Sequence, residues 1–492
     1  MSRGGTVVRW GTKTGLRPFR TMLQGLCLML PLGGCLLADK PEPGLDIPAR
    51  YDLGPRKPVA AEAALPPLDW WRSFRSRELT EIIEEARTAN LDIAAAIARI
   101  VQADAQSRIA GSALLPTANL NGSVTRGRAS GGLSSSGSTS PPIRDVYSAS
   151  VSASYEIDFW GKNRSATRAA EETAVASRFD REVVGLTTVV TAANAYFQVL
   201  AAQDRLQVAR ENLQSANRVL NLIQQRLNAG TASALDTAQQ ESLVNTQRAA
   251  IPPLEQTVKQ NRNALAVLMA RPPESIRIRG GSLRSVTYPR ITPGLPSELL
   301  TQRPDIREAE AQLASANANV ENARAQMLPS ITLTGERGFQ SAALATLLRP
   351  DSAFFNLAAG LTQPIFDGAR LQGNLDLQKG RQDELLQIYR KSVISGFADV
   401  ENSLDAIRQT ALRERLQRDV VTSSQRAFDI SEQRLNQGTI DLVTVLQTQQ
   451  TLYQAQDALA QARLAHVQAI VSLYQALGGG WLPKPVEALN AR

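Results

Sequence analysis

Between Pro142 and Pro252 the chain has no proline, and over residues 161–230 only Gly185 interrupts a stretch rich in Ala, Gln, Leu, Asn and Arg. Leu206, Leu213, Leu220 and Leu227 recur in it every seven residues. That spacing lays an apolar seam along a helix and sets it against a neighbouring helix. A helix over this stretch spans about 100 Å. The same pattern predicts long helices over 396–438 and 441–477. A second pattern has period two. From Tyr147 to Phe159 every odd position is apolar or small and every even one polar, and residues 117–125 alternate likewise. A Gly/Ser-rich stretch, 127–140, joins these two segments as an exposed turn, and 330–334 and 355–362 supply a second strand pair.

The two patterns occur twice, in the same order. Gln225-Arg226-Leu227-Asn228-Ala229-Gly230-Thr231 returns 208 positions later as Gln433-Arg434-Leu435-Asn436-Gln437-Gly438-Thr439. Leu115-Pro116-Thr117 returns as Leu328-Pro329-Ser330, and Phe159-Trp160-Gly161 as Phe366-Asp367-Gly368. Each half therefore runs helix, Leu-Pro, strand pair, long helix, Gly-Thr turn, helix. The expected organisation is a first repeat at 69–271, a linker at 272–296, a second repeat at 297–480 and a tail at 481–492.

A coiled-coil rod explains the helices but not the strands. Strands with one apolar and one polar face, and aromatics near their ends, suit a membrane β-barrel. Beyond the N-terminal segment no uninterrupted apolar run of about 18 residues is present, which leaves strands as the expected means of spanning a membrane. Four strands cannot close, since the smallest membrane barrels use about eight and an open edge in lipid leaves backbone groups unpaired. The barrel is therefore expected to be shared between subunits. That argument requires an oligomer and does not fix its number.

Composition and charge narrow the picture. Aromatics are only 5% of the chain while apolar residues are 43%, a mixture suited to long helices with narrow seams. The formal net charge of +8 suggests nucleic acid, but Arg3, Arg9, Lys13, Arg17 and Arg20 supply five of those charges and no acid precedes residue 35. No basic tract for a phosphate backbone remains afterwards. Residues 1–34 have the form of a secretory signal: a basic start, an apolar run over 22–30, then Leu32-Gly33-Gly34-Cys35. Small residues directly before a cysteine resemble the bacterial lipobox, so Cys35 is expected to carry diacylglycerol and a fatty acyl chain. Residues 35–68, with Lys40-Pro41-Glu42-Pro43 and Pro66-Pro67, are expected to be an extended tether. With one remaining Cys and a single His, His466, neither a disulfide framework nor a Cys/His metal site is expected, and no cofactor.

Taken with Trp70-Trp71 and Phe74, with Gly294-Leu295-Pro296-Ser297-Glu298-Leu299-Leu300 followed by Arg303-Pro304-Asp305-Ile306, and above all with Gly438-Thr439-Ile440-Asp441-Leu442-Val443-Thr444-Val445-Leu446, these features resemble the TolC/OprM family of outer-membrane efflux proteins, in its NodT-like lipoprotein branch. The resemblance covers nearly the whole chain after the signal. It implies a mixed α+β membrane protein: a homotrimer whose three sets of four strands form one 12-stranded transmembrane barrel, continued by a periplasmic α-helical barrel. It also implies that Gly230, Thr231, Gly438 and Thr439 lie at the periplasmic tip, where they meet an adaptor protein coupled to an inner-membrane pump of the RND type. In this family a lipoprotein with Asp next to the lipidated Cys stays in the inner membrane; Leu36 stands there in this chain, which implies the outer membrane.

Gating in the family resides in acidic residues at the tip. Asp236 matches one such position by its spacing after Gly230. The two positions that are Asp in TolC fall here on Thr444 and Gln447, a departure that puts a double Asp ring in doubt. Asp441 is a nearby substitute, although an Asp just after a turn more often caps a helix. Gly478-Gly479-Gly480 fits a helix stop, Pro252-Pro253 a bend, and His466 a solvated or interhelical position. Glu84-Glu85 and Glu171-Glu172 are adjacent on helices and diverge, and no nucleophile motif, Walker loop or dinucleotide fingerprint is present. The expected function is a passive exit duct for small molecules, not catalysis. A type I protein secretion duct and a lipid-anchored periplasmic scaffold without a pore are the alternatives.

Overall fold

A computed structural model describes residues 44–45, 47–48, 50–52, 67–128, 143–289, 291, 296–479 and 481. The signal, Cys35, most of the tether, residues 129–140 of the Gly/Ser stretch, Gly294-Leu295 and all of the tail but Trp481 lie outside these residues. The described elements are α1 (Arg77–Ala89), α2 (Leu91–Gly111), β1 (Thr117–Arg128), β2 (Ile143–Ile157), α3 (Lys162–Asn228), α4 (Ala234–Ala249), α5 (Ile251–Leu268), α6 (Pro296–Gln302), α7 (Pro304–Ala325), β3 (Ser330–Ser341), β4 (Ala353–Thr362), α8 (Arg370–Asn436) and α9 (Leu442–Ala476).

Several helices begin where a side chain satisfies their first N–H groups, while α5 and α7 instead start with proline in their first turn. Ser76 Oγ accepts from Leu79 N at 3.2 Å, and Asn90 Oδ1 from Asp92 N at 2.9 Å and Ile93 N at 3.1 Å. At the strand-to-helix corners an Asp does this work from before the helix. Asp158 accepts from the N–H groups of Asn163 and Arg164 at 2.9 and 2.8 Å, and Asp367 from that of Leu371 at 2.9 Å. Trp160 Nε1 donates to the Pro329 carbonyl at 2.9 Å, tying the corner of the first half to the Leu-Pro turn of the second.

The helices α2, α3, α7 and α8 lie side by side in that order and form one wall below the strands. Toward the far end the wall continues with α4 and α5 beside α3, and α9 between α3 and α8. The main core sits where these two levels meet. Trp70 stacks on Tyr474 with centroids 4.6 Å apart, and Phe74 meets Phe197 at 5.1 Å. Trp70, Phe74 and Phe197 are fully buried, each such burial contributing roughly 1.5–3 kcal/mol. The Trp-Trp-Phe segment thus locks α1 onto the middle of the long helices. Arg303 holds the second half at the same level: Nη2 meets Asp305 at 2.7 Å, and Nη1 meets Asp399 at 2.9 Å and the Ala476 carbonyl at 3.3 Å.

The strands form one antiparallel sheet in the order β1-β2-β3-β4, with β1 and β4 at its edges. Leu120, Val151, Arg337 and Phe355 share one rung, and Asn119, Ser152, Glu336 and Asn356 the next. Opposed residues point to the same side. One face therefore carries Leu120, Val124, Val151, Leu333, Leu357 and Leu361, and the other Asn121, Ser148, Ser152, Thr334 and Thr362. The apolar face is bare, with Leu120 82% and Leu357 79% exposed.

Three expectations change. The leucines at 206, 213, 220 and 227 are only half-buried. The seam that is buried lies three positions on, at Ala209, Ala216 and Ile223, with Asn212 and Val219 beside it, because the long helices approach closely over small side chains. The second long helix starts at Arg370 and not near Gly396, running through Gly373, Gly380 and Gly396. Last, α3 holds an 18-residue window apolar enough to cross a membrane, although it contains no uninterrupted apolar run. Since 56% of that window is buried inside the protein, it is the core segment of a packed helix.

Candidate functional site at the helix tips

The two Gly-Thr turns end α3 and α8 at the end of the molecule remote from the strands, about 100 Å away along the helices. They have one geometry. Gly230 and Gly438 both have φ +74°, a left-handed conformation that favours glycine. Gly230 N donates to Leu227 O at 2.9 Å and Thr231 N to Arg226 O at 2.8 Å. Gly438 N and Thr439 N make the equivalent bonds to Leu435 O and Arg434 O at 2.9 and 3.0 Å. The threonine hydroxyls reinforce the same carbonyls, Thr231 Oγ1 to Arg226 O and Thr439 Oγ1 to Arg434 O, at 3.1 and 3.2 Å. Gly230, Thr231, Gly438 and Thr439 are all exposed.

Just past each turn the chain re-enters a helix, and there the acidic residues are found. Asp236 belongs to a capping box: its carboxylate accepts from Ser233 N at 2.8 Å and Ser233 Oγ at 2.9 Å, while Asp236 N donates to Ser233 Oγ at 3.2 Å. Asp441 is itself the N-cap of α9 and accepts from Thr444 N at 2.9 Å and Thr444 Oγ1 at 2.6 Å. Ser233 and Asp441 occupy equivalent positions of the two halves, as do Asp236 and Thr444. The acid has exchanged places with the hydroxyl. The Thr444 hydroxyl and then its backbone N–H hold the Asp441 carboxyl below its ordinary range, so it is anionic at neutral pH. Asp441 and Gln447 are exposed, and Asp236 and Thr444 half-exposed.

Two features of the tip carry no sequence signal. Arg226 Nη1 donates to the Leu435 carbonyl at 2.9 Å, joining the two turns. Behind them Gln240 and Gln449 are fully buried; Gln240 Nε2 donates to the Ala216 carbonyl at 2.9 Å and Gln449 Nε2 to the Tyr453 hydroxyl at 2.7 Å. Around this polar pair Val219, Ile223, Val244, Phe428 and Val445 form a core that packs the two hairpins together. The recurring Gly-Thr text could locate the turns, whereas these ties depend on how the halves meet.

His466 is interhelical: Nδ1 lies 2.9 Å from Glu414, which also meets Arg418 at 2.9 Å and Arg463 at 3.6 Å. Among the described residues no His, Cys, Asp and Glu cluster is arranged to hold a metal ion.

The profile of the family described as "Outer membrane efflux protein" matches residues 82–271 and 295–479. The pyoverdine export outer membrane protein OpmQ of Pseudomonas putida is 41% identical over 468 residues, which cover 94% of this chain and 98% of that one. The toluene efflux pump outer membrane protein TtgF, also of Pseudomonas putida, is 33% identical and covers 94% and 97%. Among solved structures, the CmeC outer membrane channel of Campylobacter jejuni superposes with a TM-score of 0.85 at 25% identity, covering 92% of this chain and 97% of that one. Both halves, the helical wall and the strand domain are thus shared with known channels, and the chain belongs to the outer membrane efflux protein family.

Proposed function

We propose that this outer-membrane efflux protein works as a homotrimer in which three four-stranded sheets close one 12-stranded barrel, and that it conducts its cargo passively. The observation that carries the proposal is the sheet: apolar on one face, polar on the other, and open at both edges. A sheet of this kind is stable in lipid only when neighbouring copies pair its edges. The helical walls then line a duct that runs on from the barrel. A lipid on Cys35 would anchor the chain to the same membrane, with residues 35–68 as the tether behind the signal at 1–34. The exposed turns at Gly230-Thr231 and Gly438-Thr439 are the docking points for a periplasmic adaptor, and through it for an inner-membrane pump of the RND type. Relatives named for pyoverdine and for toluene match this chain over nearly their whole length, which supports a permissive duct with the pump choosing the cargo.

In this reading the gate lies at the tips. Threefold repetition turns Asp236 and Asp441 into carboxylate rings, which in a narrow pore repel anions and attract cations, with Thr444 and Gln447 as the neutral positions beside them. Asparagine at either acid keeps the helix cap and removes the charge. Single-channel recording in planar bilayers, with wild type beside Asp236→Asn, Asp441→Asn and Arg226→Ala, tests duct and gate together. Discrete openings, larger or more frequent in the variants, are expected. Openings unchanged in all three variants would remove the gate from the tips. Silence even from Arg226→Ala, in which the tie between the turns is cut, would overturn the duct.

A further inference from the structure

Where all four strands pair, the apolar face of the sheet holds one charged side chain, Arg337. It is exposed and makes no hydrogen bond or ion pair with any described residue. Val151 and Phe355 flank it on the same rung, and Phe339 follows two residues on. Glu336, its neighbour in β3, alternates to the polar face and does not neutralise it. The other charges of this face, Arg126, Arg128 and Asp145, lie beyond the four-stranded rungs, and Arg126 pairs with Asp145 at 3.5 Å. Arg337 stands seven residues past the helix-side end of β3 and four before the outer end, about 23 and 13 Å along the strand.

Beside Arg337 the surface is hollow. A groove of about 690 Å³ is lined by Val151, Ala153, Gly335, Leu357 and Arg337, and the Glu336 beside it also reaches the lining. Gly335 keeps its floor open, for a Cβ there would come within 3.1 Å of Leu357 Cδ2. An unpaired arginine on the lipid side of a barrel is destabilising, most of all near the membrane midplane and less toward the surface. A counter-ion offsets that cost, and in a membrane the anions within reach are lipid phosphates. Guanidinium and phosphate also match in geometry, with two parallel N–H···O bonds.

We propose that Arg337 and this groove bind a phosphate-bearing lipid of the outer leaflet, one per protomer, with the phosphate on the guanidinium and an acyl chain along Gly335, Ala153 and Leu357. The site rests on the reading above in which the apolar face meets lipid. Native mass spectrometry of the detergent-purified trimer, titrated with short-chain phosphatidylglycerol, tests it. Diacylglycerol of the same chains removes the phosphate, and glycerol 3-phosphate removes the chains. Phosphatidylglycerol adducts are expected to saturate at one per protomer, to weaken about tenfold in Arg337→Gln and to recover in part in Arg337→Lys, while neither control binds. Equal phosphatidylglycerol binding by wild type and Arg337→Gln, or diacylglycerol binding as tight as phosphatidylglycerol, would overturn the site. Glycerol 3-phosphate competing as well as the lipid would replace it with a free-phosphate site and overturn the lipid. A wild type that neither trimerises nor inserts into vesicles would instead fail at the membrane reading, and take the site with it.

Discussion

At the level of single residues, the acids of the tip serve their helices before they serve a pore. Asp441 is exposed and its carboxylate is occupied by Thr444, so Asp441→Ala should loosen the first turn of α9 by about 1 kcal/mol while Asp441→Asn leaves it intact. Hydrogen exchange at residues 442–446 separates the two: faster exchange is expected in the alanine variant alone. A second acid has a different role. Glu308 on α7 is half-buried, and burial, followed by the nearby Asp180 and Asp305, raises its carboxyl to about 7. A carboxyl raised on folding binds its proton more tightly in the native state. Its stabilising effect is present below about pH 4.5 and is lost as pH climbs to about 7. Glu308→Gln should therefore raise the melting temperature by a few degrees at pH 8 and change it little at pH 4; an equal effect at both would refute the assignment. The sequence announced Asp236 and Asp441 through their spacing from the Gly-Thr turns. It could not announce Glu308 or the Arg226 tie, because both depend on contacts between helices far apart in the chain.

Among the elements, the turns were legible and the extents were not. A Gly-Thr pair after a helical pattern specifies a left-handed cap, and both turns adopt it. Space is free around Gly230, while a Cβ on Gly438 would meet Arg226 Nη2 at 3.5 Å, an ordinary contact. The cost of Gly230→Ala and of Gly438→Ala is thus almost wholly conformational, about 1 kcal/mol each. Chemical denaturation should show the two to be equal within error, and a much larger loss at Gly438 would mean that the turn cannot shift its neighbour. By contrast, β3 continues to Ser341, well past residue 334, because its pairing with β2 carries it through Gly335-Glu336-Arg337-Gly338, where alternation of apolar and polar residues fails. The long helix α8 passes through glycines that local propensity penalises, each by about 1 kcal/mol. Gly396 shows why one is kept. A Cβ there would stand 3.2 Å from Leu299 and 3.3 Å from Ile306, so the glycine lets α6 and α7 close on α8. Tertiary packing overrides propensity at that point, and no window of local sequence contains the reason.

For the molecule as a whole, the two lateral sides of the protomer are complementary in kind. One side presents α2 and the edge strand β1 that follows it; the other presents β4 and the α8 that succeeds it. On α2, Ile97, Val101 and Ile109 are exposed and separated by multiples of four residues; on the same level of α8, Leu377 and Ile388 are exposed, eleven apart. Both spacings keep the side chains on one helical face. Apolar stripes of this kind, standing beside unpaired strand edges, fit the contact between copies proposed above. Because the two sides differ, the contact in the proposed oligomer is head-to-tail, and such a contact closes into a ring when its rotation divides a full turn. The proposed need for partners was already present in the count of strands, but which helices would meet was not, since many apolar positions of these helices serve the protomer's own core. Val101→Glu places a charge in the middle of the α2 stripe without touching the protomer's buried residues. The variant should keep its helical circular dichroism and lose the oligomer in detergent, running as a monomer by size-exclusion chromatography with light scattering. An unchanged oligomer would show that α2 faces water, and that the ring is closed by the strand edges alone.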